Sequence, residues 1–516
     1  MNARTYSAGM LGIDGFLVTV DSDVGSGSDD LRVTGPWYSL KDSALRVRDA
    51  LDSCGVVLPR CEQLVKLGPF DRRPDKPGLD LAIACALLIS HGVIPEESLS
   101  GLVLWGELAP DGSLRPSDTT FLVATTARRE GFRGVVLPAA SVQEAAPVRG
   151  LDLLPVSNLR QLIAHLRREV LIPWVSVRAP ERDESIDDEP APNLADVRDP
   201  FVRFALEVML AGGHHLLLYG PHRSGKTTIS RQIAGLLGEL DDDGDALDLT
   251  KIHAVHSPTS VMRGLMRVPQ IRSVDPCMPE DELFGGGYPA RPGEVSLAHR
   301  GVLVLDDLPE FSQSCIQRLT SAMLNRFVIG SGGARMPARF QLLATMRRCK
   351  CKWHGQPDRA CKDRPANNRK LERRIPERLL DQFDLVVALA AEPRAEVALP
   401  SPGGDLRQRL ATARTRQHER LVPTREHWRT NAEIPIGYWV NEKLCRLTPA
   451  AEDLLTTMGQ RRDLDLPALR RIRRVARTVA DLEIERDPKA PIDVDAIMLA
   501  DQLRAFARRR QDPAGL

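Results

Sequence analysis

His214-His-Leu-Leu-Leu-Tyr219 is followed at once by Gly220-Pro-His-Arg-Ser-Gly-Lys-Thr-Thr228, and then by Ile229-Ser-Arg-Gln-Ile-Ala-Gly-Leu-Leu237. The first stretch reads as a buried strand, the second as a phosphate loop and the third as a helix, the context that this loop pattern needs to mean anything. Gly220 and Gly225 permit a backbone path that turns successive N–H groups toward one point. The helix start adds its positive dipole end. Lys226 sets a compact cation on the outer phosphates, and the Thr227 hydroxyl is placed to ligate Mg²⁺. The expected nucleotide-binding residues are therefore Gly220, Pro221, His222, Arg223, Ser224, Gly225, Lys226, Thr227 and Thr228, with ATP and Mg²⁺ as cofactors. An ordinary glycine-containing turn is the bland alternative, and the flanking strand and helix count against it.

A second half-site lies about 80 residues downstream. Gly301-Val-Leu-Val-Leu-Asp-Asp307 is an apolar strand ending in two carboxylates. Asp306 is expected to hold Mg²⁺ through water and Asp307 to polarise the attacking water, so the catalytic set is Lys226, Asp306 and Asp307.

Outward from this centre the 516-residue chain divides into unlike stretches. Residues 1–172 alternate strand-like runs (Gly15–Asp21, Val103–Trp105, Val135–Leu137) with helix-like ones (Ser39–Leu51, Gly78–Ser90), which predicts an α/β domain. Residues 173–194 are acidic, contain prolines and read as a linker. The phosphate-binding α/β domain spans 195–395, and a helical segment fills 404–510. Lysines and arginines number 70 against 69 acidic residues, so overall charge names no partner, and any nucleic-acid surface has to be a local patch. No run approaches the ~18–20 apolar residues of a membrane helix. Residues 1–16 lack a basic head with a long apolar run, so a cytoplasmic protein without membrane attachment is expected. Nine cysteines over this length are no disulfide framework. Six are scattered and are expected to be small buried residues.

The other three cluster. Cys349, Cys351 and Cys361, with His354 and Asp363, share a loop inside an insert at 347–365. Zinc accepts all three ligand types, so a Cys₃His or Cys₃Asp site is one reading. A metal-free loop is the other, because Cys-x-Cys is tighter than the usual spacing. Seven basic residues surround the cluster, which also suits nucleic-acid phosphate. On the helix expected over Ala468–Leu482, Arg470, Arg473, Arg474 and Arg477 share one face. That face reads either as phosphate-directed or as solvated with neighbouring acidic partners. Leu469, Ile472, Ala476 and Val479 form the opposite, core-facing side.

Several longer words resemble one family. Gly285-Gly-Gly-Tyr-Pro-Ala-Arg-Pro-Gly-Glu-Val-Ser-Leu-Ala-His-Arg-Gly-Val-Leu-Val-Leu-Asp-Asp-Leu-Pro-Glu-Phe311 looks like the magnesium-chelatase-like AAA+ proteins of the ComM/YifB type. Ala211–Leu218, Leu379–Asp384, Arg474–Leu482 and Leu104–Pro116 match as well. The resemblance implies a ribosomal-S5/Lon-protease-like first domain, an AAA+ P-loop core and a C-terminal helical lid. It also implies a homo-oligomeric, hexameric ring and, for ComM-type proteins, DNA translocation and branch migration. A chelatase-like motor for metal insertion is a weaker alternative, since no porphyrin-specific feature is evident. Related proteins carry four cysteines in the insert, where the fourth position here is Asp363. Asp75-Lys-Pro-Gly-Leu-Asp80 lies where a Lon-type protease carries its serine, so proteolysis has no nucleophile to use.

Four departures bear on turnover. The family's Asp-Glu pair is Asp306-Asp307 here, shortening the second side chain by about 1 Å, a displacement that can cost on the order of 100-fold. Its sensor asparagine falls at Arg347, which accepts no hydrogen bond. Its finger arginine falls at Gln382, with Arg373, Arg374 and Arg378 as stand-ins, and such a loss can cost ~10³-fold. Its lid arginine aligns with Pro467, beside Arg470 and Arg471. Two readings follow: a DNA motor with weakened or relocated catalysis, and an ATP-binding oligomeric scaffold with little turnover.

Overall fold

The computed structural model describes all residues except 1, 26–29, 36–39, 60, 70–77, 176–193, 195–196, 198, 221–231, 234, 258–263, 348, 350, 352–360, 365–367, 369, 372, 390–398, 400–404, 425, 427, 441–443, 484 and 505–516.

The first strands alternate buried and exposed side chains with period two. β1 (Asn2–Leu11), β2 (Asp14–Gly25), β3 (Asp30–Thr34) and β4 (Glu62–Gly68) form a sheet in the order β1-β2-β4-β3. Helix α1 (Leu40–Ser53) and helix α2 (Asp80–Ser90) cover it. All eleven α2 residues are buried, which is why its sequence is apolar all round. A parallel three-stranded sheet follows, β5 (Leu102–Leu104), β6 (Gly134–Pro138) and β7 (Asp152–Val156), with helices α3 (Thr120–Arg129) and α4 (Leu159–Leu166). At the start of α2, Asp80 is buried, accepts from Arg46 Nε (2.8 Å) and from Leu108 N (3.2 Å), and so serves packing. Residues 75–77 of the serine-less word lie outside the described residues.

The central sheet is entirely parallel. Its strands are β8 (Leu216–Tyr219), β9 (Ile271–Val274), β10 (Val302–Leu305), β11 (Gln341–Met346) and β12 (Leu385–Ala388), in the order β9-β10-β11-β8-β12. β8, β10 and β11 are buried throughout and read as continuous apolar runs, as both faces of a parallel sheet are covered. Helix α5 (Pro200–Gly212) precedes β8, capped by Asp199 and ended by Gly213 at φ 74°. Helix α7 (Gln313–Asn325) packs on this sheet, whereas Leu247, Ala254 and Val255 of helix α6 (Asp243–His256) pack with the first domain's Phe121 and Trp105 cluster. The helix expected to run to Leu237 does not do so. Gly235 sits at φ 78°, a left-handed conformation that interrupts a helix, and most of the expected stretch lies outside the described residues.

The C-terminal part is helical: α8 (Leu406–Leu421), α9 (Pro449–Arg462), α10 (Leu466–Leu482) and α11 (Val494–Gln502). It does not close a separate core. One apolar cluster runs from α5 and the strand residues Leu216, Leu218, Val302 and Leu343 into Leu410, Ile472, Val475, Val479 and Ile497. Ile472, Ala476 and Val479 are buried as expected, with Leu469 only partly so.

The arginine face of α10 has the acidic partners of one sequence reading but not its solvent exposure. Arg474 and Arg477 are buried, neither solvated nor phosphate-directed. Arg474 bonds Asp384 Oδ1 and the carbonyls of Ala432 and Ile434, while Arg477 pairs with Asp481 at 3.1 Å. Arg473 is half-buried on the Cys445 carbonyl. Asp481, one turn on in the same helix, is a partner that helical spacing reveals, whereas Asp384, ahead of β12, is not. The scattered cysteines also divide: Cys85, Cys315 and Cys445 are buried, Cys54 and Cys61 are half-buried, and Cys277 is exposed. Among the described residues no helix is long and apolar enough to cross a membrane.

Candidate nucleotide site and cysteine cluster

The carboxyl ends of the central strands bring Gly220 and the Asp306–Asp307 pair to one edge of the sheet. β8 delivers Gly220, whose N–H donates to Met346 O (3.1 Å) at the end of β11. A Cβ on Gly220 would lie 2.7 Å from the Leu389 side chain and 2.8 Å from its carbonyl, so glycine is required by close approach. Pro221, His222, Arg223, Ser224, Gly225, Lys226, Thr227 and Thr228 lie outside the described residues. β10, two strands from β8, ends in Asp306 and Asp307; at ~4.8 Å per strand the two edges are about 10 Å apart. In open α/β sheets, ligands bind in this crevice.

The carboxylates are held by specific bonds. Thr345 Oγ1 donates to Asp306 Oδ1 (2.5 Å), and Asp307 N donates back to Thr345 Oγ1 (2.9 Å). Asp307 adopts φ 53° and ψ 56°, a left-handed conformation that aspartate tolerates better than most residues and that turns its side chain away from the strand path. Arg347, at the end of β11, reaches both Asp307 Oδ1 and Glu310 Oε1 at 3.0 Å. Arg374 stands 3.9 Å from Glu310. Sequence reasoning placed Arg347 in the sensor position, yet it missed Glu310, five residues past the end of β10 and reached only through the turn at Asp307.

The remaining departures scatter. Gln382 follows the short helix Glu377–Leu380, and its Nε2 is 3.4 Å from Arg378 O. Arg373 and Arg378 are exposed. Pro467 occupies the first turn of α10, where its missing N–H costs nothing and Asp465 caps by accepting from Ala468 N (2.8 Å). Arg471 pairs with Asp381 (3.4 Å).

The cysteine loop closes on itself. The Sγ atoms of Cys349, Cys351 and Cys361 and a carboxylate oxygen of Asp363 all lie within 4.8 Å of one another. The Sγ separations are 3.3 Å (Cys349–Cys351) and 3.5 Å (Cys351–Cys361). Tetrahedral zinc with 2.3 Å bonds sets sulfurs about 3.8 Å apart. Cys351 N donates to Asp363 Oδ2 (2.6 Å), which orients that carboxylate. Three thiols and one carboxylate thus fit a zinc ion by donor type and spacing. His354 lies outside the described residues.

Sequence comparison covers the chain from end to end. The family described as subunit ChlI of Mg-chelatase matches residues 20–141, magnesium chelatase subunit ChlI matches 193–397, and its C-terminal family matches 402–500. The uncharacterised protein Rv2897c of Mycobacterium tuberculosis is 34% identical over 98% of this chain and 99% of its own length. The chain belongs to the magnesium-chelatase-like AAA+ family of the ComM/YifB type. Within that family, YifB of Escherichia coli is 29% identical over 93% of each chain. Competence protein ComM of Haemophilus influenzae is 26% identical over 96% of each. The parallel five-stranded sheet with its helical C-terminal part agrees with that membership.

Proposed function

We propose that this chain is a cytoplasmic, ring-forming, ATP-dependent DNA motor whose hydrolysis is restrained. Gly220–Thr228 grip the phosphates, Lys226 neutralises the outer ones, Thr227 and Asp306 hold Mg²⁺, and Asp307 is the carboxylate that polarises water. The first domain, residues 1–172, is a non-catalytic accessory, the linker spans 173–194, and the lid spans 404–510. Support comes from family membership and from the convergence of Gly220, Asp306 and Asp307 on one strand edge. The restraint rests on one observation, the Arg347 bridge to Asp307 and Glu310. A carboxylate held by a guanidinium gives up orientation toward water.

The same bridge supports a second reading, an ATP-binding oligomeric scaffold with little turnover. DNA and hexamer formation belong to the motor reading through the ComM relation. Cys349, Cys351, Cys361 and Asp363 are proposed to hold structural zinc, which would tie the insert together. The deciding experiment is ATP binding and steady-state hydrolysis on purified protein, with and without branched DNA, beside Lys226→Ala. DNA-stimulated turnover that Lys226→Ala abolishes supports the motor. Tight binding without turnover supports the scaffold, and absence of both refutes nucleotide function.

A further inference from the structure

A cavity of about 360 Å³ lies behind the central sheet, at the end opposite the phosphate loop. Its wall includes Gly213 and His215 just ahead of β8, Arg300 ahead of β10, Gln341 at the start of β11 and Asp384 ahead of β12. All five mark amino ends of strands. At about 3.3 Å per residue, four-residue β8 separates this cavity from the phosphate loop by roughly 13 Å. The far wall comes from the helical part, through Arg414, Glu433, Arg471 and Arg474.

Seven arginines and four carboxylates line the cavity, and the carboxylates are already engaged. Glu433 accepts from Arg300 (2.5 Å) and Arg429 N (2.6 Å), and Asp245 from Arg300 (2.9 Å). Asp384 bonds Arg474 and His214, and Asp381 faces Arg471. Three arginines are left with no carboxylate partner among the described residues. Arg326 donates to Glu433 O (3.1 Å), Arg414 bonds Leu210 O, and Arg339 makes no side-chain hydrogen bond or ion pair there. Burial, followed by the neighbouring Arg300 charge, pushes Arg339 down from its ordinary value, and burial pushes Arg414 down to about 10. Glu433 offsets part of the charge at both, yet seven arginines share four carboxylates, and such an excess of cations is costly until an anion joins them.

We propose that this cavity is a second anion site, taking a small phosphate-bearing ligand between Arg339, Arg326 and Arg414. The volume falls in the ordinary range for small-molecule pockets. Guanidinium forks match phosphate oxygens, and a bound oxygen would supply Arg339 with an acceptor, beside the remaining N–H groups of Arg326 and Arg414. Arg414 comes from α8 and Arg339 from the sheet side, so an occupied site joins helical part to core. Phosphate at this edge therefore reports to the lid without touching the phosphate loop.

The test uses full-length Lys226→Ala, which silences the phosphate loop, titrated calorimetrically with pyrophosphate. A second arm uses ATP, which separates a nucleotide from a free phosphate chain as the source. Saturable pyrophosphate binding is expected, weakened tenfold or more by Arg339→Gln, whose side chain holds nothing else in place. Arg326→Gln is the companion, and a thermal melt checks that both variants fold. Lys226→Ala protein that binds no pyrophosphate at millimolar concentration would overturn the proposal. So would binding that both arginine variants leave unchanged.

Discussion

Replacing Arg347 by asparagine should raise ATP turnover. Two charge-assisted hydrogen bonds of 3.0 Å tie its guanidinium to Asp307 and Glu310. The side chains are 15%, 25% and 35% exposed, so solvent screens the pair only in part. A charge-assisted bond contributes about 1.5–3 kcal/mol. Breaking the Asp307 bond to let that carboxylate face water takes up about that much of the activation free energy, which corresponds to roughly 10–150-fold in rate. Arg347→Asn removes the tie and restores a side chain able to accept a hydrogen bond. Steady-state phosphate release at saturating Mg·ATP is the assay, with Lys226→Ala as the zero. An increase in kcat of tenfold or more, with little change in KM, is expected. An Arg347→Asn protein that folds, binds ATP and turns over no faster than its parent would refute the bridge as the restraint. Arg347→Ala frees the carboxylate without supplying a water ligand and should fall between the two.

Purified protein should carry about one zinc per chain by elemental analysis, and Cys351→Ser should lose it; metal-free wild-type protein that keeps an ordered insert would count against the site. Asp384 is fully buried: burial works against its ionisation, but the Arg474 charge and the His214 bond hold its carboxyl well below the usual range. Asp384→Ala should therefore destabilise by about 3–5 kcal/mol in denaturant melts, because a buried arginine loses its counter-charge. Stability should also fall as pH drops from about 6.5 toward 4. Burial lowers His253 to about 4 and His299 well below its ordinary value, and His299 Nδ1 accepts from Arg339 N (3.2 Å), which needs the neutral ring. The unfolded chain then binds the extra protons, so folding loses about 3 kcal/mol through His253 alone over that window, and pH-dependent melts should show the loss.

The sequence alone determined the strand ahead of the phosphate loop, the strand that ends at Leu305 and the paired carboxylates at Asp306 and Asp307. These are legible because strand burial writes itself as apolar runs and because phosphate binding demands glycine, lysine and threonine at fixed offsets. The apolar α2 was readable for the same local reason. Only the tertiary structure decided what the arginines do. A guanidinium reaches several ångströms from its backbone, and its partners arrive from distant chain: Asp384 lies 90 residues from Arg474, and Asp307 40 residues from Arg347. Helical spacing put Arg474 and Arg477 on one face correctly, yet whether that face meets water, phosphate or buried carboxylates depends on how the helical part packs on the sheet. The rear cavity is of the same kind, assembled from strand starts and helices that no sequence window contains together.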